Sequence, residues 1–308
     1  MIGLVGITSN PPTNPCYHNS GWTYVYLSKL QNLFGKDNVK ILREDDDWTY
    51  YDKIFINEGV NWKPDSWNLM GGVSDAVISR IKKLNDFPGK VFVWGKLVPN
   101  YQNLCEKRRI PILFNKHIES VDRLLEVDSL VLGDSHAISV YEEGWDIRRV
   151  DYKTLYGFLK ENIKSYIPQG IKHLKFYAGN IDIRHHLCRP EAMSIKELVD
   201  KLEKQLIYLG INITLVEPLP IEHESRDIPQ TGLYKGTPFY GSWEERNEKR
   251  LSLANELFRI CDKNNWKLQR WPSYFVDEKG MLKFEFMESR RSVHLAPKHY
   301  PWRNHGSI

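Results

Sequence analysis

Four cysteines in 308 residues (Cys16, Cys105, Cys188 and Cys261), none of them in a Cys-x-x-Cys pair, are too few and too scattered for a disulfide framework. That usage fits reduced thiols and a cytoplasmic setting. Long apolar runs are missing too: no stretch approaches the roughly 18–20 residues that span a bilayer, so no membrane segment is expected. Residues 1–7 are apolar but carry no basic leader, and they read as a first strand rather than a signal peptide. Charge of one sign is scarce. The net charge is +4, with 15 Lys/Arg against 12 Asp/Glu over residues 1–120 and 28 against 27 beyond. Neither part is a basic arm, and nucleic-acid binding is not indicated. Gly-x-Gly-x-x-Gly and P-loop patterns are absent, and Gly3-Leu-Val-Gly6 is too short to stand for one. No organic cofactor is expected, and no internal repeat or low-complexity tract is present.

What remains is a soluble, core-forming composition: 41% hydrophobic and 27% charged residues, on a chain long enough for one large domain or two ordinary ones. Strand-like runs at 2–7, 39–42, 53–56, 91–94 and 110–114 alternate with helical spacing at 21–34 and 74–84. The alternation restarts at Leu130. Strands are expected at 145–150, 174–177 and 213–216, and a helix at 154–163. Further helices open at Ser194-x-x-Glu197 and Ser242-x-x-Glu245, two capping-box patterns. The last of these has an expected buried face of Leu251, Ala254, Leu257, Phe258 and Cys261. Strands separated by helices predict an α/β fold of two Rossmann- or flavodoxin-like parallel-sheet domains, 1–125 and 126–308. Residues 222–241 lack periodicity, and a loop of that length reads either as a substrate-facing lid or as a packed insertion.

The chemistry concentrates where strands end. Gly133-Asp134-Ser135-His136 follows the apolar run Leu130-Val131-Leu132, and the C-terminal ends of such strands are where open α/β sheets bind ligands. A serine hydroxyl is a poor nucleophile until a base removes its proton, and its tetrahedral adduct needs donors aimed at the oxyanion. Ser135 as nucleophile, His294 as base, and the Ser135 N–H, Gly157 N–H and Asn180 amide as donors would make such a site. Each segment also has a plainer reading. Gly-Asp-Ser is a common turn, Asn180 and Asp182 suit turns and caps, and a lone histidine is usually structural.

Three blocks in this order resemble the SGNH (GDSL-like) hydrolases: Gly133-Asp-Ser-His136, Gly179-Asn-Ile-Asp182 and His294-Leu-Ala-Pro-Lys-His-Tyr300. The string from Tyr177 to His186 is similar to the third block of one subgroup, in which glutamate stands at the position of Asn180. The resemblance covers about residues 128–302 and does not reach the N-terminal part. It implies a three-layer flavodoxin-like sandwich, no cofactor or metal, and hydrolysis or transfer at a small-molecule or glycan ester. One departure concerns the base. The family carries an aspartate three positions before its histidine, and here that position is Arg291. A backbone carbonyl or Glu288 is the expected substitute as the partner that orients the imidazole.

Asp134, His136, Asp182, Arg184, Arg291 and Lys298 are the candidates for contact with substrate. Asp182 and Arg184 are expected to pair with each other. Arg290, Arg291, Lys298 and Arg303 around His294 read as a solvated basic surface or as a sign of an anionic substrate. Adjacent His185 and His186 point different ways and do not make a metal pair. Two rival functions stay open at this stage. One is a sugar- or nucleotide-dependent transferase using the loop at 8–15 and a site between the two parts. The other is a non-catalytic binding module on an SGNH scaffold that has lost its orienting acid.

Overall fold

The computed structural model describes residues 1–6, 21–42, 46–57, 82–93, 118–120, 127–150, 152–222, 236, 239–288, 293–296 and 299–300. These fall into two compact units, Met1–Glu126 and Val127–Ile308. The loop at 8–15, the strand expected at 110–114 and most of the loop at 222–241 lie outside the described residues, as do Arg291 and Lys298. No helix among the described residues is long and apolar enough to cross a membrane.

The first unit holds β1 (Ile2–Gly6), α1 (Gly21–Phe34), β2 (Val39–Ile41), β3 (Lys53–Asn57), β4 (Lys90–Val93) and β5 (Ile118–Ser120). All pairings are parallel and the strand order is β2-β1-β3-β4-β5. Leu4, Val5, Ile54, Phe55 and Val91 are buried in its core, as the apolar runs predict.

The second unit holds β6 (Ser129–Gly133), β7 (Asp146–Arg149), α2 (Leu155–Glu161), β8 (His173–Tyr177), α3 (Asn180–His185), α4 (Ile195–Ile207), β9 (Asn212–Val216), α5 (Trp243–Asn264) and β10 (Lys267–Gln269). Its sheet is again wholly parallel, in the order β10-β9-β8-β6-β7. Counted from the first strand of each unit, both sheets follow the same doubly wound order, 2-1-3-4-5. The order reverses between the first strand and the third, and ligand crevices form outside the strand ends at such a reversal. In the second unit that point lies between β6 and β8.

One face of this sheet buries Leu130, Leu132, Leu174, Phe176, Ile213 and Leu215 against apolar residues of α2, α4 and α5. Helix α4 contributes Leu198, Val199, Leu202 and Leu206, a stripe at i, i+4 and i+8, and Ser194 accepts a hydrogen bond from the Glu197 N–H at its start. Each such side chain contributes roughly 1.5–3 kcal/mol on burial. Helix α5 opens with a full capping box, Ser242 accepting from the Glu245 N–H and Glu245 from the Ser242 N–H.

The buried face of α5 differs from expectation. Leu251 and Phe258 are 46% and 50% exposed, and the inward stripe runs Arg246, Arg250, Leu253, Leu257 and Ile260, with Ala254 and Cys261 beside it. Two arginines hid this stripe from a reading based on apolar residues. Arg246 donates to the Gly241 carbonyl and lies over the Phe239 ring, and Arg250 pairs with Glu217. The Arg250 charge is thereby compensated inside the fold by a carboxylate, and the Arg246 guanidinium is met by a carbonyl and a ring face.

Strands β6 and β8 approach too closely at Gly133 for any side chain. A Cβ built there would lie 2.0 Å from the Tyr177 carbonyl oxygen, which accepts the Asp134 N–H at 3.0 Å. Gly133→Ala should therefore destabilise the second unit by roughly 2–3 kcal/mol, read as a lowered urea midpoint with unchanged m-value. Wild-type stability in this variant would contradict the packing at β6–β8.

Candidate active site

Ser135 lies in the turn directly after β6, at the reversal point of the sheet. The turn is fixed locally. Asp134 Oδ1 accepts the His136 N–H at 2.8 Å, the Ala137 N–H donates to the Asp134 carbonyl, and a 3-10 turn, Ala137–Val140, follows. Asp134, His136 and the 3-10 turn are buried, while Ser135 stays partly open. This is the pattern of a strand-end turn that holds its central side chain outward on a packed base.

The Ser135 hydroxyl meets the His294 ring across 159 positions of sequence, with Oγ and Nε2 2.7 Å apart. His294 is carried by a short antiparallel pairing near the C-terminus, in which Met287 bridges Leu295. Within it the Glu288 N–H donates to the His294 carbonyl at 3.1 Å, and the Ala296 N–H to the Phe286 carbonyl at 2.7 Å. The same pairing puts the Glu288 carboxylate beside the other ring nitrogen, Oε2 to Nδ1 at 3.7 Å. That is longer than a hydrogen bond and within reach of one after a small adjustment. Arg291, which stands where the resemblance expects an acid, lies outside the described residues.

Asn180 opens α3 directly after β8. Gly179 caps this helix in a left-handed conformation, φ 116°, which favours glycine. The Asn180 side chain is fully buried. Its Oδ1 accepts the Leu219 N–H at 3.1 Å, which fixes the amide orientation, and among the described residues its Nδ2 meets no acceptor in hydrogen-bond geometry. A buried donor left open in this way is costly in a folded protein and is common where a ligand or reacting oxygen supplies the acceptor.

The other sequence candidates take supporting places. Gly157, expected to donate to an oxyanion, instead gives its N–H to Thr154 Oγ1 at 2.8 Å within the first turn of α2. Asp182 and Arg184 do not pair. Asp182 caps α2 from outside, accepting the Leu155 N–H at 2.7 Å and the Tyr156 N–H at 3.3 Å. Arg184 forms a buried forked pair with Glu222, Nη2 to Oε2 at 2.7 Å and Nε to both carboxylate oxygens, and also donates to the Asn180 carbonyl. Asn and Asp beyond a strand read equally well as a turn, so α3 has no clear mark in the sequence. Glu222 sits in an aperiodic stretch with no signal that marks it as a partner. The pair ties α3 to the chain leaving β9, so Asn180 is held from both ends.

Behind the Ser135–His294 contact lies a buried polar group. The His136 ring stands 4.6 Å from the His294 ring and 6.0 Å from that of Tyr177. Burial lowers the His136 pKa well below the imidazole range, with His294, Arg184 and Arg149 acting in the same direction, so this ring is neutral. Burial raises the Asp134 carboxyl to about 7, against the hydrogen bond from the His136 N–H, which favours the anion. The Tyr177 phenol is likewise pushed up by burial and by Asp134. Among the described residues, Asp134 Oδ2, His136 Nε2 and the Tyr177 hydroxyl have no hydrogen-bond partner. Among the described residues no three His, Cys, Asp or Glu side chains converge as a metal-binding group would.

No family model matches the chain, and no curated protein matches it. Several solved structures are similar to part of it. A GDSL-like lipase from Bacteroides thetaiotaomicron is 14% identical over 54% of this chain and 78% of its own, with a TM-score of 0.40. An acetyl xylan esterase is 13% identical over 55% and 92%, with a TM-score of 0.39. The psychrotrophic esterase EstA from Pseudoalteromonas sp. is 15% identical over 57% and 91%, at 0.34. At these scores the site stands on its own geometry.

The raised pKa of Asp134 has a sign that experiment can read. In the fold this carboxyl holds its proton up to about pH 7, whereas in the unfolded chain it ionises near pH 4. Folding takes up a proton between those values, so its contribution to stability falls as pH rises across that window. Asp134→Asn keeps an oxygen acceptor for the His136 N–H and removes the titration. Relative to its standing against wild type near pH 4, the variant should gain stability by pH 8. The gain is up to roughly 1.4 kcal/mol for every pH unit crossed inside that window. Urea denaturation at several pH values checks this, and parallel pH profiles for the two proteins would contradict a protonated Asp134.

Proposed function

We propose that the second unit is a serine ester hydrolase of SGNH type, with Ser135 as nucleophile, His294 as general base and Glu288 as the carboxylate that orients the imidazole. The observation that carries this reading is the 2.7 Å contact between Ser135 Oγ and His294 Nε2 at the reversal point of a doubly wound sheet. The Ser135 oxygen attacks the ester carbonyl as its proton passes to His294 Nε2. The carbonyl π pair moves onto the oxygen, which the Asn180 amide and the Ser135 N–H stabilise. Collapse expels the alcohol, which takes the proton from His294 and leaves an acyl group on Ser135. Water, deprotonated in turn by His294, then releases the acid. If another alcohol takes the place of that water, the same residues perform acyl transfer.

Glu288 takes the part that the resemblance gives to an aspartate three positions before the histidine. It approaches from the paired strand at six positions' separation instead. Its charge favours the imidazolium that forms during attack, and it holds Nδ1 as the protonated ring nitrogen. Asp134, His136, Asp182 and Arg184 serve as the packed support of the site in this reading, since all four are buried and each has a neighbour that fixes it.

Wild-type protein should react with a fluorophosphonate probe at Ser135 and hydrolyse simple activated esters. Ser135→Ala should abolish labelling and lower kcat by roughly a thousandfold or more. Glu288→Gln should lower kcat by about 10- to 1000-fold with little change in KM, because its effect is felt only as the imidazolium forms. Folded wild-type protein that neither labels nor turns over any ester would favour the non-catalytic binding module.

A further inference from the structure

Two neighbouring residues of one turn meet the His294 ring. Ser135 Oγ lies 2.7 Å from its Nε2, and the ring of His136 stands 4.6 Å from it at an interplanar angle of 57°. The first contact fixes one atom of the imidazole and would by itself allow the ring to pivot about that atom. The Glu288 carboxylate, 3.7 Å from Nδ1, favours one nitrogen but holds it loosely. A second ring packed against the first opposes the pivot, because aromatic rings at this separation are in contact and one turns only if the other gives way.

His136 is itself held from several sides. Its N–H donates to Asp134 Oδ1 at 2.8 Å, and its carbonyl accepts the Ser139 N–H at 2.9 Å and the Ser139 hydroxyl at 2.7 Å. The residue is 3% exposed, and its ring stands edge-on to Tyr177 of β8, centroids 6.0 Å apart. Tyr177 in turn lies 5.8 Å from the Trp271 ring, whose N–H is tied to the Glu217 carbonyl just past β9. A column of rings thus runs from His294 through His136 to the central strand of the sheet. His136 Nε2 has no hydrogen-bond partner among the described residues, so what the ring offers at that end is its surface. Burial keeps it neutral, and it therefore sets no positive charge beside an imidazolium at His294.

We propose that His136 is a positioning residue for the general base: its ring fixes the plane of the His294 imidazole relative to the serine beside it in sequence. One turn then places both the nucleophile and the surface against which the base rests, so a displacement of the turn moves the two together. The proposal rests on the hydrolase reading for its effect on turnover, whereas the placement of one ring by the other can be read without any substrate.

The test compares p-nitrophenyl acetate hydrolysis by wild type and three full-chain variants, under conditions where circular dichroism shows each to be folded. His136→Ala and His136→Gln, which lack a ring, should lower kcat by about 10- to 100-fold with KM within about twofold, since a base displaced by about an ångström costs on that order. His136→Phe, which restores a ring, should recover kcat to within about fivefold of wild type. Nitrogen NMR of histidine-labelled protein, with His294 assigned from a His294→Asn chain, reads the ring without substrate. A single His294 tautomer is expected in wild type and His136→Phe, and averaged ring nitrogens in the two variants without a ring. Averaging in those two, in a protein that hydrolyses no ester, would support the positioning role and count against the hydrolase. Wild-type kcat and a single tautomer in them, in a protein that fluorophosphonate labels, would overturn the role and leave the hydrolase standing. A loss of kcat that folded His136→Phe protein does not recover would overturn it too, because the effect would then belong to the imidazole nitrogens. Should phenylalanine not fit the space, the two variants without a ring and their NMR spectra decide the matter.

Discussion

The close approach of β6 and β8 at Gly133 is the constraint on which the rest of the second unit depends. With no side chain at that position, the Tyr177 carbonyl comes near enough to accept the Asp134 N–H. That bond extends the ladder one residue past β6 and fixes where the strand stops. The turn bearing Ser135 therefore begins at a defined height over the sheet, level with the start of α3. Asn180, three residues after Tyr177, is registered against Ser135 by the same contact. A looser junction would let the two strand ends slide, and the distance between a hydroxyl and an amide donor tolerates very little sliding.

Behind that edge lie several buried polar atoms that have no hydrogen-bond partner among the described residues. Each costs stability, and the cost is reduced here because the groups are held neutral: His136 deprotonated, Asp134 protonated over much of the accessible pH range, and Tyr177 a phenol. A water-poor surrounding strengthens every dipole aimed into it, so in the proposed reaction the Asn180 amide would act more strongly on a developing negative charge than the same group in water. The Arg184–Glu222 pair supplies rigidity at the other end of α3. Its forked geometry satisfies both charges, and removal of either partner would leave the other buried and alone.

The architecture was legible in the sequence because parallel strands buried on both faces are written as apolar runs. Leu130-Val131-Leu132 and residues 174–177 could be nothing else once helical spacing separated them. Helix starts at Ser194 and Ser242 were legible for a local reason, since capping chemistry needs only four residues. The buried face of α5 was hidden because Arg246 and Arg250 lie inward, Arg246 against the Gly241 carbonyl and the Phe239 ring just before the helix and Arg250 against Glu217, which only folding brings near. The pairing of Arg184 was hidden for the same reason: Asp182 is its near neighbour, while Glu222 is brought in only by folding. Glu288 could be named as a substitute acid but not placed, since no spacing rule predicts an antiparallel bridge between residues 287 and 295.

The two residues that face each other across that bridge sit on a different kind of support from the serine. Ser135 stands on the end of a central strand, among the most deeply embedded parts of the unit. Glu288 and His294 ride on a short antiparallel pairing whose backbone bonds join residues 286–288 to residues 294–296, with Met287 and Leu295 buried. Segments of that sort detach at lower free energies than a central sheet does. Mild heat or low denaturant would thus carry off the His294 imidazole and the Glu288 carboxylate together while the sheet still reports as intact. Loss of the Ser135–His294 contact and loss of the fold would be separate events, with the first governed by the grip of one short pairing.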